Sequence, residues 1–316
     1  MIKRPLGKTG LEIAPLVFGG NVFGWTVAER GSFALLDNFF GRGLNAIDTA
    51  DSYSMWVEGN RGGESETIIG NWLARSKKRK EAVIITKVGT PLGPDKKGLS
   101  AKRIQQAAED SLRRLRTDYI DVYLSHYPDA ETPIEETLRG YDQLLRDGKV
   151  RAIGCSNYDA AQLREALDAA AADGLPAYGV LQPEYNLYAR SGYEGELRDL
   201  CIAEGLGVIP YFALASGFLT GKYRSPEDAA KSPRGERIVG KYLDDRGKRI
   251  LRALDDVAER HNATPAEVAV AWLIAREGVT APIASATSLE QLESLVRATR
   301  LALPPDDVEA LTRAGE

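Results

Sequence analysis

Asp48, Tyr53, Lys87 and His126 supply a carboxylate, a phenol, an ammonium and an imidazole, and each stands where a short apolar run ends or in the turn that follows. Asp48 closes 44–47 and opens the run DTADSY, which ends on Tyr53; Lys87 closes 82–86, and His126 closes 119–124. A phenol with a pKa of about 10 is protonated at neutral pH, so it can donate to a carbonyl oxygen that becomes an alkoxide as hydride reaches the carbon. An adjacent ammonium stabilises the phenolate left behind. Lys87 is therefore expected to lower the Tyr53 pKa, with Asp48 pairing Lys87 to keep it charged and in place. His126 is expected to be a neutral donor that aims the substrate oxygen. None of the four carries a hydride, so the chemistry calls for a cofactor that does. Taken singly, they read as a cap, a packing aromatic, a solvated strand end and a satisfied polar group. Together at consecutive strand ends they form a costly electrostatic cluster that has no purpose without a function. His261, beside Asn262 just past a helical stretch, receives no role.

The elements that must position these groups follow from periodicity. Short β-branched runs at 15–18, 44–47, 83–86, 120–124, 151–154, 179–181, 207–210 and 281–284 alternate with amphipathic stretches at 27–40, 64–74, 101–115, 134–145, 160–171, 195–203, 249–259 and 289–299. That alternation predicts βα units and a parallel sheet. Eight right-handed units close into a barrel, so the expected fold is α/β, a (β/α)8 TIM barrel in a single domain over 1–316, with no composition shift to divide it. In such a barrel the C-terminal strand ends carry the site, which places Asp48, Lys87 and His126 on one face with Tyr53 in the loop above. The segment 3–13, with turn residues Gly7 and Gly10, is expected to form an N-terminal hairpin plugging the barrel floor. Thr132, Pro133 and Glu135 spell a capping box, and Thr264, Pro265 and Glu267 repeat it. The charged stretch 223–246, with Pro226, Pro233, Gly235 and Gly240, has no clear period and reads as a long functional loop.

Bulk properties narrow the function. A formal charge of −4, with 27% charged residues spread along 316, leaves no basic face for nucleic acid. Cys155 and Cys201 lie in apolar surroundings without metal-ligand spacing, which predicts buried free thiols and no metal. The start MIKRPLGKTG lacks an apolar signal core, and no apolar stretch approaches the roughly 20 residues of a membrane helix, so a cytoplasmic protein without membrane contact is expected. Phe23, Trp25, Trp56 and Tyr127 fall in loops over the mouth and could wall a substrate pocket, beside the glycine-rich loop 57–63.

The chain resembles the aldo-keto reductase family over nearly its full length. The resemblance rests on DTADSY at 48–53, Lys87 after VIIT, SHYPD at 125–129, GKVRAIGCSNY at 148–158, LQPEYN at 181–186 and ALASGFLTGKY at 213–223. It implies that Asp48, Tyr53, Lys87 and His126 are the family's catalytic tetrad, with Tyr53 as general acid, and that the cofactor is NADPH bound in extended form, NADH being the lesser choice. Ser156, Asn157 and Gln182 match the positions that hold the carboxamide, and Tyr211 the aromatic that stacks on the nicotinamide. Phe212, Ala213, Leu214, Gly217 and Lys222 match the pyrophosphate segment. The adenosine end departs from the family pattern. In ASATSLEQLESL at 284–295 Gln291 is kept, but Ser285 stands for the usual glycine and Leu295 for the asparagine. Ser285, Thr287 and Ser288 offer hydroxyls to a 2′-phosphate, and Arg234 is the candidate for the missing cation. The activity implied is reversible NADPH-dependent reduction of an aldehyde or ketone, by a monomer or homo-oligomer. A nicotinamide-binding sensor resembling the potassium-channel β subunits, or a barrel without turnover, are the alternatives.

Overall fold

The structure, a computed structural model, describes residues 1–232 and 234–316; Pro233, counted above among the breakers of the long loop, lies outside them. The strands β1 (Arg4–Pro5) and β2 (Glu12–Ile13) form an antiparallel hairpin. Eight parallel strands follow: β3 (Val17–Gly19), β4 (Ala46–Asp48), β5 (Val83–Val88), β6 (Ile120–Ser125), β7 (Val150–Ser156), β8 (Val180–Gln182), β9 (Gly207–Val208) and β10 (Ile283–Ala284). They pair in the order β10-β3-β4-β5-β6-β7-β8-β9. The two ends are joined by Thr280 N–H donating to Val208 O and Ile283 N–H to Pro210 O, both at 2.8 Å, so the expected barrel is what forms.

Period-two alternation divides each strand between two cores. One parity faces the barrel interior, where Val17, Ala46, Val83, Ile85, Val122, Leu124, Ala152, Val180, Ile209 and Ile283 pack with Leu6, Leu11 and Ile13 of the hairpin. The hairpin thus closes the floor, as the glycine-punctuated start predicts. The other parity, with Phe18, Ile47, Ile84, Tyr123, Ile153, Leu181 and Val208, packs under the surrounding helices. Because both faces are buried, the strands read as continuous apolar runs. The interior parity continued to the C-terminal ends gives Asp48, Lys87, His126, Ser156, Gln182, Tyr211 and Ser285.

The helices are α1 (Glu29–Gly41), α2 (Glu64–Ser76), α3 (Ala101–Leu115), α4 (Ile134–Arg146), α5 (Ala160–Asp173), α6 (Glu196–Glu204), α7 (Gly235–Tyr242), α8 (Asp245–Arg260), α9 (Pro265–Ala275), α10 (Leu289–Ala298) and α11 (Pro305–Ala314). Thr264 caps α9 in the full reciprocal box with Glu267. The box expected at Thr132 does not form: α4 starts after Pro133 without a side-chain cap, and the Thr132 hydroxyl donates to Asp129 Oδ2 at 2.7 Å instead. The stretch 223–246 is also more ordered than its composition suggests. Ser225 and Asp228 box a short 3-10 turn, Pro226–Lys231, and α7 follows because Ile238 and Tyr242, four apart, bury one helix face. The Tyr242 ring stacks on Phe218, with centroids 5.5 Å apart. α11 carries no expectation from the sequence; it docks through Leu311 and through Thr312, which accepts from Trp272 Nε1 at 3.1 Å. Among the described residues no helix is long and apolar enough to cross a membrane, and no group of His, Cys, Asp and Glu could hold a metal. Cys155 and Cys201 are buried and free.

Candidate active site

At the C-terminal end of the barrel Lys87, fully buried on β5, reaches across to β4. Its Nζ lies 2.8 Å from both Asp48 oxygens, 2.7 Å from Thr49 O and 2.8 Å from Tyr53 OH. An ammonium has three hydrogens, so this set of acceptors uses all of them. The Tyr53 hydroxyl in turn donates to Asp48 Oδ2 at 3.0 Å, so its proton is turned toward the carboxylate. Gln182 Nε2, from β8, donates to the other Asp48 oxygen at 2.8 Å. Every group around the carboxylate is therefore a donor, which suits a charge taken out of water.

The ionisation of the phenol runs opposite to the sequence expectation. Burial, and then the charge and hydrogen bond of Asp48, hold the Tyr53 pKa well above the ordinary tyrosine value. Lys87 does not reverse this because its charge is matched by Asp48 at 2.8 Å, leaving the phenol beside a nearly neutral pair. Burial lowers the Lys87 pKa while Asp48 opposes the shift. His126 meets its expectation of neutrality: burial, then the Lys87 charge, push it down to about 3. Its Nδ1 is 2.8 Å from Thr90 Oγ1, and where that hydroxyl donates, the ring proton sits on Nε2. The ring stacks on Tyr127 at 4.9 Å and meets Tyr53 edge-on at 6.1 Å.

A second chain of hydrogen bonds lines the strand ends beyond the carboxylate. Tyr211 OH donates to Asn157 Oδ1 at 2.6 Å; Asn157 Nδ2 donates to His126 O at 2.8 Å and to Ser156 Oγ at 3.1 Å; and Ser156 Oγ donates to Gln182 O at 2.8 Å. Asn157 thus spends both amide hydrogens inside the protein, whereas Gln182 spends one on Asp48. Asn157 holds φ 63°, a left-handed conformation that asparagine tolerates best among side-chain-bearing residues.

After Tyr211 the backbone is strained. Phe212, Ala215 and Ser216 have φ of 55°, 47° and 59°, and Gly217 follows at 96°. Left-handed conformations cost non-glycine residues about 1–2 kcal/mol each, and they are held here by tight turns in which Ala215 N–H donates to Phe212 O and Gly217 N–H to Leu214 O, both at 2.8 Å. Asn186 Nδ2 pins the loop by donating to Phe212 O at 3.0 Å. A Cβ placed on Gly217 would meet only the Lys222 side chain, at 3.8 Å, so the ammonium stands beside this loop.

The aldo/keto reductase family profile matches residues 15–316. The chain is 33% identical over 314 residues to an uncharacterized oxidoreductase of Bacillus subtilis (strain 168), covering 97% of this chain and 93% of that protein. It is 35% identical over 305 residues to a probable voltage-gated potassium channel subunit beta of Arabidopsis thaliana (93% and 90%). It is 32% identical over 305 residues to an L-glyceraldehyde 3-phosphate reductase of Escherichia coli O157:H7 (93% and 86%). The chain belongs to the aldo/keto reductase family. As an aldo/keto reductase it is an oxidoreductase of carbonyl compounds.

Around the mouth of this aldo/keto reductase the expected aromatics divide. Trp25 meets Trp56 edge-on at 5.6 Å, Trp56 meets Tyr53 at 6.1 Å, and Trp56 and Tyr127 are 49% and 51% exposed. Phe23 is not part of this wall: its ring is fully buried against Phe18 at 5.3 Å, because residues 20–22 form a 3-10 turn that folds it into the core. Only its carbonyl serves the site region, accepting from Ser54 Oγ at 2.7 Å. Met55 and Phe212, 38% and 44% exposed, join the exposed apolar surface without having been expected there as side chains.

At the adenosine end the structure uses the polar groups internally. Ser285 Oγ is 2.8 Å from Gly19 O and 2.6 Å from Asn21 Oδ1, tying β10 to β3. Ser288 caps α10 by accepting from Gln291 N at 3.2 Å, and Gln291 Oε1 folds back to accept from Thr287 N at 2.8 Å and Thr287 Oγ1 at 3.1 Å. Arg234 lies over the Trp25 ring, 4.9 Å from its centroid, and among the described residues no hydrogen bond or ion pair joins it to 285–291. Sequence reasoning missed Thr90 and Asn186, the partners of the His126 ring and of the strained loop. A lone threonine three residues past Lys87 carries no signal of that partnership.

Proposed function

We propose that this chain reduces aldehydes or ketones with NADPH, Tyr53 acting as the general acid. The observation that carries this reading is the resting geometry of the phenol, which is protonated, half-buried and bonded on its other side to an ammonium that has no hydrogen left to give elsewhere. When bound, the cofactor supplies hydride; the chain supplies the proton and its management. The Tyr53 O–H turns from Asp48 Oδ2 toward the substrate oxygen, and Lys87 Nζ, already 2.8 Å from the phenol oxygen, stabilises the phenolate that remains. Asp48 keeps Lys87 charged and fixed. His126, with Nε2–H available in the tautomer that Thr90 supports, aims the carbonyl oxygen.

Gln182, with one amide hydrogen unspent, together with Ser156 and Asn157 after exchanging their present partners, fits a nicotinamide carboxamide, and the strained loop at 212–217 fits a pyrophosphate. Lys222 would add positive charge, Tyr211 would face the ring, and the hydroxyls of Ser285, Thr287 and Ser288 with Gln291 would meet the 2′-phosphate after releasing their present bonds. The position of Arg234 over Trp25 supports a place at the mouth rather than on that phosphate. The apolar wall of Trp25, Trp56 and Tyr127 supports small-molecule carbonyl substrates, and the free thiols of Cys155 and Cys201 are in keeping with a cytoplasmic enzyme. The test is Tyr53→Phe, assayed by NADPH oxidation at 340 nm against a panel of aldehydes and ketones. Turnover should fall by about 10²- to 10⁴-fold with cofactor affinity nearly unchanged, and wild-type turnover in the variant would refute the acid. The likeness to a potassium channel subunit beta favours one other reading, a nicotinamide sensor. Tight NADPH binding without turnover on any substrate would select it.

A further inference from the structure

Asp51 stands between Asp48 and Tyr53 in the turn that delivers the phenol, and the chemistry described above makes no use of it. It is 1% exposed, and it pairs with Arg103 of α3, 6% exposed, so both charges are taken out of water. By the standard of this molecule the pair is poorly bonded. Arg103 Nη2 donates to Asp51 Oδ2 at 3.2 Å, against 2.6 Å between Arg114 and Glu66 and 2.8 Å between Arg79 and Asp121. Asp51 Oδ1 and Arg103 Nε are sealed from solvent and make no hydrogen bond among the described residues. Two desolvated charges joined by one long bond contribute little to stability, and unpaired buried polar atoms are a cost tolerated chiefly at functional sites.

What the pair does contribute is position. Asp51 N–H donates to Lys87 O at 3.3 Å and Tyr53 N–H to Ala50 O at 3.2 Å, so the turn is tied to the strand end that carries Lys87 and closes on the phenol. Ser54, next after Tyr53, is held at φ 72°, a left-handed conformation that costs about 1–2 kcal/mol. Strain of this kind persists only where the surroundings hold it. On one flank of the turn the Ser54 hydroxyl donates to Phe23 O at 2.7 Å, and on the other Asp51 ties it to α3 through Arg103. We propose that Asp51 and Arg103 are positioning residues for the general acid: their ion pair clamps the strained turn so that the Tyr53 oxygen stays on Lys87 and its proton within reach of the substrate oxygen. This rests on Tyr53 being the acid. A displacement of about 1 Å in a reacting group can slow its step by roughly 10²-fold.

The test is NADPH oxidation at 340 nm by R103M, D51N and the double variant D51N/R103M, which leaves neither charge stranded, with binding-competent sites counted by NADPH fluorescence titration. In each, kcat per site should fall about 10- to 100-fold, the double no further than the singles because the pair acts as one unit. KM for the aldehyde and Kd for NADPH should stay within about twofold. The D2O solvent isotope effect on kcat should rise, since proton delivery becomes the slow step. R79M, which breaks a pair at the opposite end of the strands, should leave kcat per site within about twofold. An electrostatic role through Lys87 would move R103M and D51N in opposite directions, because they remove opposite charges. That result, unchanged kcat per site in the singles, a fall without a raised isotope effect, or an equal fall in R79M would each overturn the clamp. Wild-type turnover in Tyr53→Phe would instead defeat the reading of Tyr53 as the acid, and the clamp with it.

Discussion

Tyr53 rests with its proton on the wrong side for chemistry, donating to Asp48, and the reaction needs only a rotation of that O–H. Its pKa is raised, so the protonated form persists beyond the ordinary value of about 10. Reduction, which needs the proton, should stay level from neutral pH to about 10 and decline only above it; alcohol oxidation, which needs the phenolate, should rise over the same range. A decline of kcat for reduction centred below pH 9 would contradict the assignment. His126, pushed down to about 3, should contribute no inflection near 6.5. The buried pair sets a separate expectation for stability. Lys87→Met strands Asp48 without its countercharge and should cost about 3–5 kcal/mol in urea unfolding, while Tyr53→Phe keeps the pair intact and should remain near wild type.

At the level of elements, each interior strand position above the apolar layer becomes a functional candidate, since the period of two carries the inward parity up to the mouth. That is why Asp48, Lys87 and His126 were legible from runs of apolar residues alone, while Ser156, Gln182 and Tyr211, on the same inward parity, were named only through the family resemblance. Helix starts were less so. Thr264→Ala removes a formed cap and should lower stability by about 1 kcal/mol, whereas Thr132→Ala removes only a hydroxyl bond to Asp129 and should cost roughly half that or less. Equal losses on chemical denaturation would mean that the two boxes are alike after all. The same four-residue signature has different outcomes because Asp129 competes for the Thr132 hydroxyl, and no local pattern registers that competition. α7 was hidden likewise: its buried side chains Ile238 and Tyr242 gain a partner only once Phe218 is beside Tyr242.

For the whole molecule, cofactor preference follows from how the far end of the groove is built. If hydroxyls and Gln291 serve a 2′-phosphate, NADPH at 100 times its Kd should stabilise the protein by about 2.7 kcal/mol, and NADH at the same concentration by clearly less, read as shifts in Tm. A larger shift with NADH would overturn the preference. The sequence by itself determined the barrel, the inward parity and the chemical types at the strand ends, because residue identity and periodicity are local properties of the chain. Closure of the ring decided the rest. It brought Gln182 to Asp48 across 134 positions and set Ser285 against Gly19, and loop packing sent Phe23 into the core and Arg234 over Trp25. It also turned the Tyr53 pKa upward, since the burial and charge around a phenol depend on everything folded about it and not on its neighbours in sequence.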